Sequence, residues 1–513
     1  MNAITDIWKK LRIQYKCAFL GTFLFGVLSQ GMGLFNKFSM HDDINFFFDG
    51  DNPLGYGRWM YYVLVRIENK LLGNYSLPLL YGTLAILCTA LALCLLIDLL
   101  ELRSTVLCVL LGGIMVSVPV VTHLFGDMYV AHYYSFALLL AVLGPWLIIR
   151  RGKWYGWLTG VVLMTFSTAI YQSYIPVMIS AFLFRLIKEC FDSRTREERI
   201  LIYRKAGLIL LSCAAFISLY FLITFTIVNR YGITLTEYKG ISEMGKASPQ
   251  VYLHRLTSLY KDFFLPSANV NSSIFPGNIR FLSYGFTAVF CLLYAWLLYE
   301  KRKFRTETVL LLVLMLLIPL AVNFLFIIVN SAFFYMIMLY GRVMFFVIFA
   351  WVLENTAGTV QNQFARVTRT LCLAGMALLT VLYIKYDNVC YLQMNLLQSQ
   401  AVRYFSTLIT RIQSTGGYDT EKNVCYIGDP RVLKNDNSIQ PIPELDNVVF
   451  YPYDGLYHGL SGPWRRFMHL WCGYSAHEVD QSYFRDRPEV EAMPNYPAEG
   501  SIQLIDDTIV VKF

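Results

Sequence analysis

The segment Met40, His41, Asp42, Asp43, Ile44, Asn45 sets two adjacent carboxylates beside an imidazole, a few residues beyond the first long apolar run of the chain. Either carboxylate could take a proton from an attacking hydroxyl while its neighbour orients the substrate or holds a cation. The plainer reading is an acidic loop outside a membrane. Placing both charges in hydrocarbon would cost on the order of 5 to 7 kcal/mol on insertion scales. The pair must therefore reach water or a polar cavity at the membrane surface.

Downstream, Gly55, Tyr56, Gly57, Arg58, Trp59 opens an amphipathic stretch in which Trp59, Tyr62, Val63, Arg66 and Ile67 keep helical spacing. Such a helix lies in a membrane interface with Trp and Tyr at headgroup level. Arg58 there either meets a phosphate or snorkels to water. Two later turns add polar groups: His123 with Asp127, and Tyr171, Gln172, Ser173. Gln172 can hydrogen-bond a sugar hydroxyl or cap a helix end, and capping is the simpler expectation. In Met338, Leu339, Tyr340, Gly341, Arg342, Val343, the arginine stands among apolar residues, where it needs an anion. A lipid phosphate would serve, as would an Asp or Glu of the protein. No Walker A, GxGxxG, GxSxG or HExxH pattern is present, against a nucleotide-driven pump, a soluble dinucleotide enzyme or a zinc protease.

The elements that must position these groups are membrane helices. Of 513 residues, 56% are hydrophobic, 16% aromatic and only 15% charged, more apolar than a soluble domain. A span needs roughly 20 mostly apolar residues. Runs at Tyr15 to Phe35, Leu77 to Leu99, Thr105 to Thr122, Met128 to Ile149, Ala206 to Val228, Phe281 to Tyr299 and Thr308 to Val329 each read as one span. Met344 to Leu353 and Thr370 to Tyr386 add two. Trp154 to Cys190 is too long for one helix and is broken at Tyr171, Gln172, Ser173 and Pro176, so it reads as two short helices. The expectation is an α-helical polytopic protein of about eleven spans.

The net charge of +8 marks topology rather than nucleic-acid binding, because basic residues collect at span ends. Lys9 to Lys16, Arg150 to Lys153, Arg194 to Lys205 and Lys301 to Arg305 all fall on one side of an eleven-span arrangement, the cytoplasmic side by the positive-inside rule. The N-terminus is then inside, the first span stays as an anchor, and the loops 36–76 and 229–280 lie outside with all the unusual polar groups. From about Asp387 the composition turns water-soluble. The chain thus divides into a membrane domain, 1–386, and an extracytoplasmic domain, 387–513, expected as a small α/β module. Within it, Asn423 to Gly428 and Asn447 to Tyr451 read as strands and Gln393 to Ile412 as a helix. Most of the 11 cysteines sit in apolar runs as small hydrophobes. Cys390, Cys425 and Cys472 could pair outside the membrane. No metal-type spacing appears.

With His41, Asp42, Asp43, then Gly57, Arg58, Trp59, then Ala169 to Ser173, and a late Tyr340, Gly341, Arg342, the chain resembles the GtrII-type glucosyltransferases, part of the GT-C class of membrane glycosyltransferases. The resemblance covers most of residues 1–386 in order. It implies transfer of a sugar, often glucose, from a polyprenyl phosphate to an outer-face glycan such as an O-antigen. By that analogy Asp42 or Asp43 is the base, and Arg58 and Arg342 are candidates for the lipid phosphate. His41, Trp59, His123, Asp127, Tyr171, Gln172 and Tyr340 are expected to line the substrate site.

The implied reaction needs a base for the acceptor hydroxyl and a cation for the leaving phosphate, with no cofactor and no required divalent cation. A single displacement inverts the anomeric centre. The implied partners are the lipid-linked donor, the envelope glycan, a donor synthase and a flippase, at the cytoplasmic (inner) membrane of the cell. A transporter or flippase of lipid-linked glycans is the alternative, yet transporters concentrate ionisable groups near the midplane and show internal repeats, and this chain shows no repeat.

Overall fold

The computed structural model describes residues 8–38, 40–73, 75–236, 248–266, 273–300, 305–329, 334–357, 363–428, 430 and 463–513. The chain divides into two compact units, 1–36 with 51–388 and 37–50 with 389–513.

The first unit is helical. Its principal helices are α1 (Ile13–Phe35), α3 (Trp59–Leu72), α4 (Pro78–Leu100), α5 (Thr105–Ser117), α6 (Pro119–Gly126), α7 (Met128–Arg151), α8 (Trp154–Ile170), α9 (Ile175–Asp192), α10 (Arg196–Tyr231), α11 (Pro249–Phe264), α12 (Phe281–Glu300), α13 (Arg305–Val322) and α14 (Met344–Ala357). The helix α2 (His41–Asp49) falls in the second unit, and α15 (Gln363–Gln413) starts in the first and ends in the second. Local chemistry sets many ends. Ser104 accepts the Leu107 N–H at the head of α5, Thr195 and Glu198 form a capping box on α10, and Pro78 opens α4 where its missing N–H costs nothing.

Among the described residues, six helices are long and apolar enough to cross a membrane: α1, α4, α7, α10, α12 and residues 366–413 of α15. A seventh is the pair α5 and α6, bent by 40° where Pro119 interrupts the expected single span Thr105 to Thr122. The expectation of eleven is thus only partly met. The other four positions hold α8, α9, α13 and α14, of 17, 18, 18 and 14 residues, short or carrying charges near their ends. The break between α8 and α9 is a single 3₁₀ turn, Gln172–Tyr174. Where α7 and α8 meet, a Cβ on Gly144 would stand 2.9 Å from the Gly160 carbonyl and one on Gly160 2.7 Å from that of Gly144, so only two glycines permit this approach.

The second unit holds a four-stranded mixed sheet of β1 (Asn423–Ile427), β2 (His477–Glu478), β3 (Ile502–Ile505) and β4 (Thr508–Lys512) in the order β2-β1-β4-β3. The strand β1 runs parallel to both neighbours, with Val424 opposite Ile509, while β3 and β4 form a hairpin turned by Asp506 and Asp507 at positive φ. Cys425, Ile427, Phe484, Val490, Met493 and Val510 pack as its core, with α16 (Pro463–Cys472) in the same unit. The expected strand at Asn447 to Tyr451 lies outside the described residues, and Gln393 to Ile412 is the last part of α15. No disulfide joins Cys390, Cys425 or Cys472, so the pairing open to them in sequence is not made; Cys425 lies in the sheet core and Cys390 is fully buried on α15.

Candidate functional site

Asp42 and Asp43 occupy the first turn of α2, where the helix N-terminus favours negative charge, and His41 is the first residue of that helix. The two carboxylates differ in surroundings. Asp42 is exposed. Asp43 is 2% exposed, ion-paired with Lys37 through Oδ2, and its Oδ1 has no hydrogen-bond partner among the described residues. The other end of α2 is pinned within the second unit by Arg466, which donates to both oxygens of Asp49 (2.5 and 3.0 Å) and to Asn45 Oδ1 (2.8 Å).

In the first unit, Arg58 sits in a cage of tyrosines. Its guanidinium lies 5.2 to 5.7 Å from the ring centres of Tyr56, Tyr134 and Tyr171. Its Nη1 donates to Tyr134 Oη at 2.7 Å and its Nε to Gln172 Oε1 at 3.3 Å. No hydrogen bond holds Nη2 among the described residues. Tyr134 and Tyr171 stack at 4.0 Å, 11° from parallel, and fix two of the walls. Burial works against the charge of Arg58, but the tyrosine oxygens and the Asp51 carboxylate outweigh it and hold the group above its ordinary value. The cage is therefore a preformed, permanently positive group with open donors.

Backbone conformation makes the cage possible. Gly57 has φ +69°, and a Cβ there would meet Tyr220 Oη at 2.5 Å, the hydroxyl that donates to the Gly57 carbonyl. The break between α8 and α9 turns Gln172 inward, and its Nε2 donates to the Tyr56 carbonyl (2.7 Å) and to Tyr220 Oη (3.1 Å). Capping, the simpler expectation for Gln172, is thereby overturned: the helix start has no side-chain cap, and the amide ties Arg58 to two other elements. Trp59 is buried against Ala169 and Tyr220, edge-on to Phe166. Its packing on Tyr220, which bonds to Gln172 and Gly57, supports the cage.

The other expected site residues are distributed unevenly. Asp127 precedes α7, and its carboxylate acts electrostatically on Tyr134 and Tyr171. His123 is buried on α6. Tyr340 joins through an edge contact to Tyr174, which meets Tyr171 in the same way, while its hydroxyl donates to the Met115 carbonyl. Arg342 does not join them. It is buried, ion-paired with Asp262 and hydrogen-bonded to Asn323 Oδ1 at 2.9 Å, so the intramolecular anion named as its rival partner is the one it has. Arg342→Ala is expected to cost about 3 kcal/mol, because Asp262 is left without its cation. A fall in the unfolding midpoint in detergent, largely restored in Arg342→Met with Asp262→Leu, is the check.

Sequence reasoning missed several members of this region, Tyr134 and Tyr220 of the cage among them. Asp51 and Tyr61 belong to the Arg58 cluster, with Tyr61 6.0 Å from Tyr134 and 5.3 Å from Tyr133. Behind them, Glu68 accepts from Tyr81, Tyr133 and, at 3.2 Å, meets His132 Nε2. Burial alone would push the Glu68 carboxyl up, but the bonds from His132, Tyr133 and Tyr81 bring it down to about 2. The signal that could have found Tyr134 and the partners of Glu68 is the run His132, Tyr133, Tyr134 in the second turn of the span that starts at Met128. Among the described residues no group of three or more His, Cys, Asp or Glu side chains is placed to hold a metal ion.

No curated protein and no solved structure matches the chain. The family model described as glucosyl transferase GtrII matches residues 31–348, which include the acidic helix, the arginine cage and Arg342. With more than half of its length matched, the chain belongs to the GtrII glucosyltransferase family.

Proposed function

We propose that this glucosyltransferase takes glucose from a polyprenyl-phosphate donor and places it on a cell-envelope glycan at the outer face of the membrane. The observation that carries the reading is Arg58, whose guanidinium is fixed in an aromatic cage with Nη2 left open. A planar cation so held is suited to a phosphate oxygen whose charge grows as it leaves. On this reading the acceptor hydroxyl gives its proton to Asp42, and its oxygen bonds to the anomeric carbon as the bond from that carbon to the phosphate oxygen breaks. The lipid phosphate departs as an anion against Arg58. One displacement inverts the anomeric centre, and neither a cofactor nor a divalent cation has a part in it.

Asp42 is preferred to Asp43 as base because it is exposed, whereas Asp43 is committed to Lys37. Tyr171, Gln172 and Asp127 hold the cage in shape, and Arg342 acts in folding. The basic clusters put the N-terminus in the cytoplasm and the acidic helix outside, where nucleotide sugars are absent and a lipid-carried donor is required. A synthase and a flippase must supply that donor.

The test is transfer by purified protein in vesicles from synthetic polyprenyl-phosphoryl [¹⁴C]glucose to isolated envelope glycan. Labelled glycan of anomeric configuration opposite to the donor is expected. Movement of the lipid across the bilayer with no label in glycan would mean a transporter, and retained configuration would rule out the single displacement.

A further inference from the structure

A half-open cavity of about 150 Å³ lies within the second unit, walled chiefly by Phe48, Arg465, Arg466, His469, Tyr474 and Glu478. It is smaller than the roughly 300–1,000 Å³ clefts that enclose drug-sized ligands, and its size suits one ring. Each of its cations already has an anion. Arg465 Nε stands 2.8 Å from Glu478, and Arg466 is held by Asp49. The guanidinium of Arg465 lies over Trp464 and Tyr426, at 4.8 and 5.6 Å, and that of Arg466 over Phe48 at 5.6 Å. Phe48 and His469 meet edge to face at 5.4 Å.

These walls select a ligand class. A phosphate would gain two guanidinium groups but would also face the Glu478 carboxylate in the wall, and the charge of Arg466 is already balanced by Asp49. A purely apolar ligand would strip water from the charged groups and return no hydrogen bonds. A neutral ring with many hydroxyls uses everything present: it accepts from guanidinium, donates to carboxylate, and lays its C–H face on an aromatic side chain. The place in the fold is also informative. Phe48 and Asp42 stand on one helix, six residues apart, which is about 9 Å of helix rise, a span that a short oligosaccharide bridges.

We infer that this cavity holds one sugar ring of the glycan acceptor, further along the chain from the ring that receives glucose; the inference rests on the glucosyltransferase reading above. His469 and Glu478 are exposed, so His469→Ala and Glu478→Gln provide two independent variants. The first measurement is saturation-transfer NMR on the full-length protein with methyl α-D-glucopyranoside, methyl α-L-rhamnopyranoside and methyl N-acetyl-α-D-glucosaminide, with inorganic phosphate as the counter-probe. At least one glycoside is expected to bind wild type and to lose its signal in both variants. The second is steady-state transfer, where the KM for glycan acceptor should rise about tenfold or more, with kcat and the donor KM unchanged. Phosphate binding in place of glycoside binding, or an unaltered acceptor KM in both variants of a wild type that does transfer glucose, overturns the assignment and leaves the transferase standing. Variant-sensitive glycoside binding by a wild type that transfers nothing defeats the transferase reading and supports sugar binding at the cavity.

Discussion

Replacing Asp42 by asparagine should lower glucose transfer by about 10²- to 10⁴-fold, the usual worth of a general base, while the protein folds and accumulates as before. The side chain is exposed at the first turn of α2, so the nearly isosteric amide takes its place without disturbing a packed core and weakens the favourable interaction with the helix N-terminus modestly. Asp43→Asn should behave differently. Its carboxylate is buried and neutralises Lys37, so the substitution leaves a lysine without its counter-charge and weakens the attachment of α2. The expected loss is about 1–3 kcal/mol of stability, visible as a lower unfolding midpoint, with transfer per folded molecule reduced far less than in Asp42→Asn. Equal loss of transfer in a fully folded Asp43→Asn, with Asp42→Asn active, would exchange the two roles.

The second large effect is expected at Arg58. Arg58→Ala should lower kcat/KM for the lipid donor by about 10²- to 10³-fold, as removal of one preorganised donor to developing negative charge does. Arg58→Lys should recover little of it. An ammonium cannot donate from a planar fork to Gln172 and Tyr134 while offering further N–H groups to a phosphate, and it stacks less well among tyrosines. Product inhibition separates this from a structural role: free polyprenyl phosphate should inhibit wild type and should lose its hold on Arg58→Ala in proportion to the loss of donor binding. A variant that keeps wild-type inhibition by polyprenyl phosphate would show that the phosphate sits elsewhere.

Much of the architecture was legible because its cause is local. Apolar runs state where helices form, Pro176 and the polar residues before it state where α8 must stop, and the spacing from Trp59 to Ile67 states a helix, observed as α3. Which face of α3 turns inward was not legible: Tyr61 and Val65 are buried, whereas Val63, Arg66 and Ile67 are exposed. Partners distant in sequence stayed hidden for the same reason. Gln172 works through Tyr56, 116 residues earlier, and Arg342 is spent on Asp262, 80 residues earlier. Composition shows that a buried arginine needs an anion, but not which one the fold brings to it. The span count suffered at α14, where a ten-residue apolar core with an apolar approach reads as a crossing but folds as a 14-residue helix after a 3₁₀ turn.

The clamp of Arg466 on Asp49 joins residues 417 positions apart, and this orders events during synthesis. A ribosome makes α2 early, yet the arginine that fastens it, and the α16 side chains beside it, emerge only after residue 466 has been translated. Until then α2 is a nine-residue helix, far below the roughly 12–15 residues at which an isolated helix holds in water. A chain ended before that point therefore carries its acidic helix with the local Lys37 pair but without the Arg466 clamp.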